Sequence, residues 1–304
     1  MFDILVAGEI NPDLILSGNV IPEFGQVEKL VDDATLAIGS SSAIFACGAA
    51  RLGLKVAFVG FCGDDIFGRF MLEEMQRRNV NVSNVILRAN GQTGLSVILN
   101  LDSDRAILTH PGLIPALQAS DVTDALLGQA RHLHVASYFL QTKLQADLPN
   151  LFRRAHSLGL TTSLDTNYDP SEKWIGFDEL LSATDIFLPN KAEALSITQL
   201  NDVESAAKQL AHKSKLVAIK LGADGALACQ DHLIIHSDSI SINVVDTVGA
   251  GDSFDAGFMY AYLNDWELQK SLRLACVCGA LSTQRAGGTN GQPTLAEAMM
   301  YVSG

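Results

Sequence analysis

Short runs of consecutive apolar residues alternate with amphipathic stretches along most of the chain. Continuous apolar runs bounded by turn residues predict buried strands, and apolar positions three or four apart predict helices. The strands predicted in this way are 4–7, 56–61, 132–136, 161–164, 185–188 and 216–220. The predicted helices are 42–52, 66–78, 253–263, 268–284 and 295–302. Uninterrupted apolar strands between helices indicate an α/β fold, with a mainly parallel sheet sandwiched by helices.

Two stretches, at about 12–38 and 85–110, have alternating or turn-rich β character instead. Within the second, strands at 93–101 and 105–109 are predicted to pair antiparallel through a turn at 102–104. Such β insertions suggest a small lid over one edge of the sheet, which would exclude water from a reaction. We find no linker, repeat or low-complexity segment, so residues 1–304 are predicted to form a single domain that carries this β lid.

The composition is that of a globular chain. Of 304 residues, 48% are hydrophobic and 18% are charged, which excludes a disordered chain. The formal net charge of −13 disfavours binding to nucleic acid or to an anionic membrane surface. The five cysteines have no framework spacing, and we see no targeting segment and no apolar run of about 18 residues. These features predict a reduced, cytoplasmic protein.

Common nucleotide-binding fingerprints are missing from the sequence. No Gly-Lys dipeptide is present, so there is no P-loop. The first predicted strand turns at 8–13 without the Gly-x-Gly-x-x-Gly of dinucleotide-binding proteins, which disfavours an oxidoreductase with a nicotinamide cofactor.

The most informative segment is 244–254, where a predicted strand meets a Gly-Ala-Gly turn and a helix that starts at about Asp252. Small residues allow close approach, so the N–H groups of Gly249, Ala250 and Gly251 and the positive helix end predict an anion site. A carboxylate at such a site opposes phosphate binding but suits a general base that takes a proton from an attacking hydroxyl. The helix end is expected to keep Asp252 ionised. The alternative is that Asp252 only caps the helix.

The string Asp-Thr-Val-Gly-Ala-Gly-Asp at 246–252 resembles the signature of the PfkB, or ribokinase-like, family of carbohydrate kinases. Three other segments resemble family motifs in the family's order: 39–68 its first signature, 188–193 its Asn-x-x-Glu motif and 220–225 its nucleotide loop. The resemblance covers nearly the whole chain. It implies a ribokinase-like fold and an ATP-dependent kinase that transfers the γ-phosphate of MgATP to a sugar hydroxyl, with the primary hydroxyl favoured.

The resemblance also implies roles in phosphoryl transfer. Asp252 would be the catalytic base, and the anion hole would consist of Gly249, Ala250 and Gly251. Mg²⁺ and its waters would be held near the phosphates by Asn190 and Glu193. A monovalent cation such as K⁺ would be held by Asp246 and Val248, together with the loop 285–291.

Binding roles follow from the same resemblance. Sugar hydroxyls would be bound by the side chains of Asn11 and Asp13 and by the backbone of Gly39 and Ser40. The ATP site would be lined by Lys220, Gly222 and Gly225.

Several of these positions have a second interpretation. Asn190 and Glu193 match a helix capping box, Asp13 follows Pro12 as a turn acid would, and Lys220 could be a surface charge at a strand end. Arg105, on the predicted lid, could reach a sugar hydroxyl or carboxylate, or it could face solvent.

Departures from the family pattern bear on the substrate. Ser40 stands in place of a second glycine, Ile44 in place of a sugar-contacting Asn, Cys276 in place of an Asn or His near the adenine, and Asp169 in place of an Arg of sugar-acid kinases. Residues 39–43 contain no Lys or Arg that could hold a phosphate already present on the substrate. We therefore expect a neutral, unphosphorylated sugar.

Two alternatives stay open. A nucleoside also carries a primary hydroxyl, and Tyr138 and Phe139 could form a platform for its base, as a nucleoside kinase would need. A catalytically silent sugar-binding relative would share the fold, but the presence of Asp252 and the Gly-Ala-Gly turn speaks against it. The exposed edge of the lid is expected to pair with a second copy of the chain in a homodimer.

Overall fold

The computed structural model describes residues 1–101 and 104–302, which form two β-sheets and the helices packed on them. Strands and helices are numbered in chain order. The strands of the larger sheet are β1 (Phe2–Ala7), β4 (Val56–Gly63), β5 (Asn81–Arg88), β8 (Ala130–Val135), β9 (Thr161–Leu164), β10 (Ile186–Phe187), β11 (Leu216–Lys220), β12 (Ala226–Gln230) and β13 (Leu233–Ser237). The strands of the smaller sheet are β2 (Pro12–Ser17), β3 (Asp33–Ile38), β6 (Leu95–Leu101) and β7 (Asp104–His110).

Most of the larger sheet is parallel. Its parallel part has the spatial order β5–β4–β1–β8–β9–β10–β11. β12 and β13 continue the sheet as an antiparallel hairpin at one edge. Ile4 of β1 is in register with Val56 on one side and His132 on the other. Because parallel neighbours need crossover connections, helices separate these strands in the chain.

Helices cover both faces of the larger sheet. One face carries α1 (Ser41–Leu52), α2 (Ile66–Arg77), α9 (Ala250–Leu263), α10 (Leu268–Ser282) and α11 (Leu295–Val302). The other face carries α3 (Asp124–Leu127), α4 (Thr142–Gln145), α5 (Leu148–Ser157), α6 (Phe177–Ser182), α7 (Lys191–Thr198) and α8 (Val203–Ala211). None of the described helices has the length and apolar character needed to cross a membrane.

The two helical layers explain why the strands are apolar throughout. Side chains alternate across a strand, so Ile4 and Val6 of β1 enter one core while Leu5 and Ala7 enter the other. All eight residues of β4 are buried for the same reason. The predicted parallel sheet between two helical layers is therefore confirmed.

The smaller sheet has the order β3–β2–β6–β7, with β2 and β6 parallel in the middle and antiparallel edge strands. It sits at the carboxyl end of β1, because β2 follows β1 after residues 8–11. Ile15 of β2 and Ile98 of β6 pack against Val248, which attaches this sheet to the segment before α9.

Some predicted boundaries change. Residues 85–88, which the sequence places in the second lid insertion, belong to β5 of the larger sheet, where Val85 pairs with Gly60 and Arg88 with Gly63. Val85 and Ile86 of this strand are partly buried, one against each of the two cores. In the described chain the second part of the smaller sheet begins at Leu95. Residues 102 and 103 of the predicted turn lie outside the described residues.

Candidate active site

The predicted site residues lie where the parallel strands end. Asn11 follows β1, Asn190 follows β10, and Lys220 is the last residue of β11. A backbone bridge joins Asn190 to Lys220. The first turn of α9 lies at the same edge, since a Cβ placed on Gly251 would be 3.6 Å from Lys220 Nζ. Because parallel strands end at one edge, groups that are distant in the sequence meet there.

The turn 249–251 has the geometry of an anion site. Gly249 has φ +72° and occupies the N-cap position of α9. A Cβ on Gly249 would lie 2.7 Å from the carbonyl oxygen of Gly288, so both conformation and space require glycine. Of the three predicted donors, the Ala250 N–H already lies 3.3 Å from the Thr247 carbonyl oxygen. The first N–H groups of a helix have no partner within it, and the positive end of α9 attracts anions, as phosphate binding needs.

Asp252 is buried in the first turn of α9 and does not cap the helix, because Gly249 is the N-cap. Burial raises the pKa of Asp252 well above its usual value; Asp165 and Glu9 raise it further, and the charge of Lys220 lowers it. Burial and the neighbouring carboxylates thus act against the ionised form that the helix end is expected to favour, and the ionisation of Asp252 stays a prediction.

Asn11, Asp13 and Gly39 form one side of the site, at the base of the smaller sheet. Asn11 Nδ2 lies 3.4 Å from Asp13 Oδ1 and 3.3 Å from Ser96 Oγ. A Cβ on Gly39 would lie 2.1 Å from Asp13 Oδ1, so only glycine leaves room for this carboxylate. Burial raises the pKa of Asp13 to about 7, although the Arg105 guanidinium lowers it. A buried carboxylate beside an amide can bind several hydroxyls, which a plain turn acid would not do.

Ser40 uses its side chain for the fold. It has φ +65° and caps α1, accepting from the Ala43 N–H at 3.0 Å. Its Oγ lies 2.7 Å from the carbonyl oxygen of Glu9 and 3.0 Å from Glu9 Oε1. Glu9 also accepts from Ser137 Oγ at 2.9 Å and from the Ser42 N–H at 3.2 Å. Ser40, which stands in place of the second glycine, thus donates to the buried carboxylate of Glu9. Sequence reasoning missed Glu9. The only sequence signal for Glu9 was an acidic residue two positions after the first strand.

Asn190 and Glu193 form a complete capping box at the start of α7. The Glu193 N–H donates to Asn190 Oδ1 at 3.0 Å, and the Asn190 N–H donates to Glu193 Oε2 at 2.9 Å. The box alone does not explain why Glu193 is buried, with its pKa raised to about 7 by desolvation and by Asp165. A buried carboxylate of this kind is a suitable ligand for a cation, so the metal role of the pair stays a prediction.

Lys220 is not a surface charge, and that interpretation is wrong. Its side chain is 11% exposed, and Nζ lies 2.8 Å from Asp165 Oδ2. Both carboxylate oxygens of Asp255 are 3.1 Å from the same Nζ. Sequence reasoning missed both acids. The sequence signal for Asp165 was its place directly after a strand. The signal for Asp255 was its place one helical turn beyond Asp252.

A cavity of about 600 Å³ opens beside the turn 249–251. The three residues predicted to line the ATP site, Lys220, Gly222 and Gly225, all line this cavity. Gly225 has φ +86°, and a Cβ there would lie 2.1 Å from the carbonyl oxygen of Ser237. Other lining residues are Ile240, Ile242, Val244, Ala250, Gly251, Phe254 and Cys276. The volume and the apolar lining suit a nucleotide-sized ligand.

Asp246 joins the segment before α9 to the loop 285–291. Asp246 Oδ1 accepts from the Val248 N–H at 3.0 Å, and Oδ2 accepts from the Gly287 N–H at 2.9 Å. Arg105 is exposed on β7, with Nη1 3.4 Å from Thr247 Oγ1. The smaller sheet, the segment 246–248 and the loop 285–291 therefore meet beside the anion site.

The fold and the site together define a class of protein: a ribokinase-like kinase with a glycine turn at a helix start, a buried carboxylate and a nucleotide-sized cavity. The family model described as pfkB family carbohydrate kinase matches residues 1–295. The chain belongs to the pfkB family of carbohydrate kinases. Its enzyme class is that of phosphotransferases with an alcohol group as acceptor.

Individual relatives agree with this assignment. The chain is 27% identical over 304 residues to an ATP-dependent ribose-1-phosphate kinase of Halopiger xanaduensis, covering 100% of this chain and 99% of the relative. Arabidopsis thaliana ribokinase, solved with ribose and ATP, is 23% identical with a TM-score of 0.89, covering 100% and 99%. A candidate ribokinase II from E. coli, solved with ATP and Mg²⁺, is 21% identical with a TM-score of 0.88 and the same coverage. The two structures confirm the ribokinase-like α/β fold.

Replacing Asp13 by Asn is expected to stabilise the protein in neutral and basic solution. An Asp whose pKa is raised from 3.8 to about 7 holds its proton in the folded state after the unfolded chain has lost it. Folding stability therefore falls as the pH rises from about 4 to about 7, and the loss is complete above that range. We expect Asp13→Asn to be more stable than the wild type at pH 8, by up to about 4 kcal/mol in urea unfolding.

The difference between Asp13→Asn and the wild type should shrink towards pH 4. Asp231→Asn, an exposed acid-to-amide change in the turn between β12 and β13, is the matched control and should show no such trend. A stability difference for Asp13→Asn that does not vary with pH would contradict the raised pKa.

Proposed function

We propose that the protein transfers the γ-phosphate of MgATP to the primary hydroxyl of a neutral, unphosphorylated sugar, with Asp252 as general base. One observation carries the proposal: Asp252 lies in the same turn of α9 whose residues Ala250 and Gly251 line the 600 Å³ cavity. The acceptor residues lie near the start of α9, because Ile15 and Ile98 of the smaller sheet pack against Val248, which directly precedes the turn 249–251.

The cavity supports a nucleotide as phosphoryl donor. Ile240, Ile242 and Val244 offer apolar surface for a base, while Lys220 and the start of α9 offer positive charge for phosphates. The E. coli protein holds ATP and Mg²⁺, and Arabidopsis ribokinase holds ATP. We infer the same pair for this chain, with Mg²⁺ near Asn190 and Glu193. When bound, the metal would neutralise charge on the phosphates.

In the proposed reaction, the acceptor oxygen forms a bond to the γ-phosphorus while the bond from that phosphorus to the bridging oxygen of ADP breaks. Asp252 takes the proton of the attacking hydroxyl. The backbone of Gly249, Ala250 and Gly251 binds the charge of the phosphoryl group in flight. A raised pKa suits Asp252 to receive this proton, provided that the carboxyl is ionised before transfer.

Charge around the acceptor residues favours a neutral sugar. Glu9 and Asp246 both raise the pKa of Asp13, and Arg105 is the cation that opposes them. A negatively charged group on the acceptor would be repelled by these carboxylates. The Halopiger relative acts on ribose 1-phosphate according to its name, whereas the Arabidopsis structure holds ribose. Both neutral sugars and sugar phosphates are therefore included among the acceptors to be tested.

The nucleoside alternative depends on an aromatic platform, and the packing of the aromatic residues disfavours it. Tyr138 is 5% exposed and packs edge to face on Phe139, with ring centroids 5.1 Å apart. Phe139 packs in the same way on Trp174 at 5.5 Å and on Phe177 at 5.8 Å. These ring faces are already used within the core.

A monovalent cation such as K⁺ is proposed at Asp246, Val248 and the loop 285–291. The bonds from Asp246 to Val248 and Gly287 bring the two segments together next to Gly249, whose Cβ position faces Gly288. Turnover measured in K⁺, in Na⁺ and in a large organic cation tests this site. Equal rates in all three would overturn it.

We propose a cytoplasmic location, since all five cysteines are buried and unpaired, as suits a reducing compartment. Cell fractionation with an antibody against the chain checks this, and recovery outside the cytoplasmic fraction would overturn it.

Replacing Asp252 by Asn is expected to leave the fold intact and to lower turnover by about 10²–10⁴-fold, because the general base is lost. The measurement is ADP release with a panel of sugars, sugar acids, sugar phosphates and nucleosides, each confirmed by detection of the phosphorylated acceptor. Asp265→Asn, just beyond the other end of α9 and exposed, is the matched control and should keep wild-type turnover.

Each outcome of the panel bears on one alternative. Near-wild-type turnover of Asp252→Asn would overturn the base. Phosphorylation of nucleosides alone would favour the nucleoside kinase. Saturable sugar binding without turnover would favour the catalytically silent relative, and phosphorylation of charged sugars alone would overturn the neutral substrate.

Replacing Glu193 by Gln separates the capping role from the metal role. Glutamine can keep the capping box and matches the protonated form of the buried Glu193 carboxyl, so the urea midpoint should not fall. The Mg²⁺ concentration for half-maximal rate should rise by roughly 10-fold or more. Glu297→Gln changes the matching position of the second capping box, Thr294 with Glu297, and is the control. An unchanged Mg²⁺ titration in Glu193→Gln would leave only the capping role.

We propose that the smaller sheet pairs with its copy in a homodimer. β7 is an edge strand that is exposed at all seven positions, including Ile107 at 54% and Leu108 at 62%. An exposed apolar edge favours pairing with another strand. Light scattering at micromolar concentration should give the mass of two chains for the wild type and of one chain for Ile107→Lys. A monomeric wild type would overturn the dimer.

A further inference from the structure

One ammonium and two carboxylates are buried together beneath the turn 249–251. Lys220 Nζ lies 2.8 Å from Asp165 Oδ2 and 3.1 Å from each carboxylate oxygen of Asp255. The three residues come from three elements: Asp165 directly follows β9, Lys220 ends β11, and Asp255 is in α9. The cluster therefore ties α9 to two strands of the larger sheet.

Stability alone is a weak reason for this cluster. Burying charges removes them from water, and well-packed apolar residues often stabilise a core as well or better. Two carboxylates around one ammonium also leave an unbalanced negative charge. The position of the cluster suggests another reason, since Lys220 lines the nucleotide cavity and its Nζ is 3.6 Å from a Cβ placed on Gly251. Asp255 is one helical turn beyond Asp252.

We propose that Asp165 and Asp255 are positioning residues, which hold the Lys220 ammonium under the turn 249–251 so that its charge acts on Asp252 and on the phosphate bound there. This inference rests on the proposed function for the roles of base and phosphate. Asp165 is itself held in place, since its Oδ1 accepts from the Asn167 N–H at 3.2 Å.

The groups that face Asp252 come from several elements. They are Lys220 of β11, Asp165 after β9, Glu9 after β1, Ser41 of α1 and Asp255 of α9 itself. Lys220 lowers the pKa of Asp252, whereas Asp165 and Glu9 raise it. Loss of the Lys220 charge should thus raise the pKa of Asp252, whereas loss of the Asp165 charge should lower it. Both changes nevertheless break the same link between α9 and the sheet. This opposition distinguishes an electrostatic role from a merely structural one.

The test is the pH dependence of kcat/KM, whose acid limb reports ionisation of the base. In Lys220→Met the limb should move to higher pH by roughly one pH unit, and in Asp165→Asn it should move to lower pH. Lys220→Arg keeps the charge and should keep the limb near its wild-type position. Lys215→Met makes the same change at the other end of β11, where Lys215 pairs with the buried Asp185 at 2.6 Å, and should leave the limb unmoved.

In the double variant, Lys220→Met should move the limb less when Asp165→Asn is also present than it does in the wild type, because Asp165 no longer holds the ammonium. Additive shifts, or no shift in Lys220→Met, would overturn the proposal. If Lys220→Met does not fold, Lys220→Gln takes its place, alone and together with Asp165→Asn. A ¹³C NMR titration of the Asp252 carboxyl, assigned with Asp252→Asn, gives the same comparison without turnover. A wild type that phosphorylates no acceptor would thus overturn the proposed function, while the titration still tests the positioning role.

Discussion

Parallel pairing of apolar strands is the constraint on which the rest of the molecule depends. Each pair of parallel neighbours requires a crossover connection, so helices cover both faces of the larger sheet. All seven parallel strands of that sheet end at one edge. Asn11, Asp165, Asn190 and Lys220 are far apart in sequence and meet only because their strands end together. The same edge receives the start of α9, which adds a positive helix end to a set of side chains that is largely acidic.

That combination sets the electrostatic character of the site. Burial raises the pKa of Asp13, Glu193 and Asp252, and neighbouring carboxylates raise each of them further. Arg105 and Lys220 oppose this accumulation from two sides. The proposed binding of anions therefore relies on backbone dipoles and one buried ammonium, within a chain whose net charge is −13. A metal cation that binds together with a nucleotide is favoured beside those carboxylates that have no Lys or Arg next to them.

The sequence predicted those features that depend on local pattern. Strands such as 56–61 are recognisable because both faces are covered, and the Gly-Ala-Gly turn is recognisable because its backbone needs glycine at Gly249. The hairpin of β12 and β13 and the edge strand at 85–88 were not predicted, since their assignment depends on which neighbour they pair with. Glu9, Asp165 and Asp255 were missed for a related reason: a lone acid becomes informative only once the fold buries it. The burial that opposes ionisation of Asp252 could not be predicted, because a helix position does not reveal desolvation.

The attachment of the smaller sheet has a mechanical consequence. Pro12 and Ile38 are paired at the point where β2 leaves and β3 rejoins the body of the molecule, and Asn11 and Gly39 flank this pair. The groups proposed to contact the acceptor, Asn11 and Asp13, therefore lie where the smaller sheet joins the body of the molecule, two strands away from its edge strand β7. Any tilt of the sheet displaces its edge by a large distance but reorients Asn11 and Asp13 only slightly. The proposed acceptor contacts would thus keep their shape if the smaller sheet opens, so that entry of the acceptor would not require the pocket to be rebuilt on each cycle.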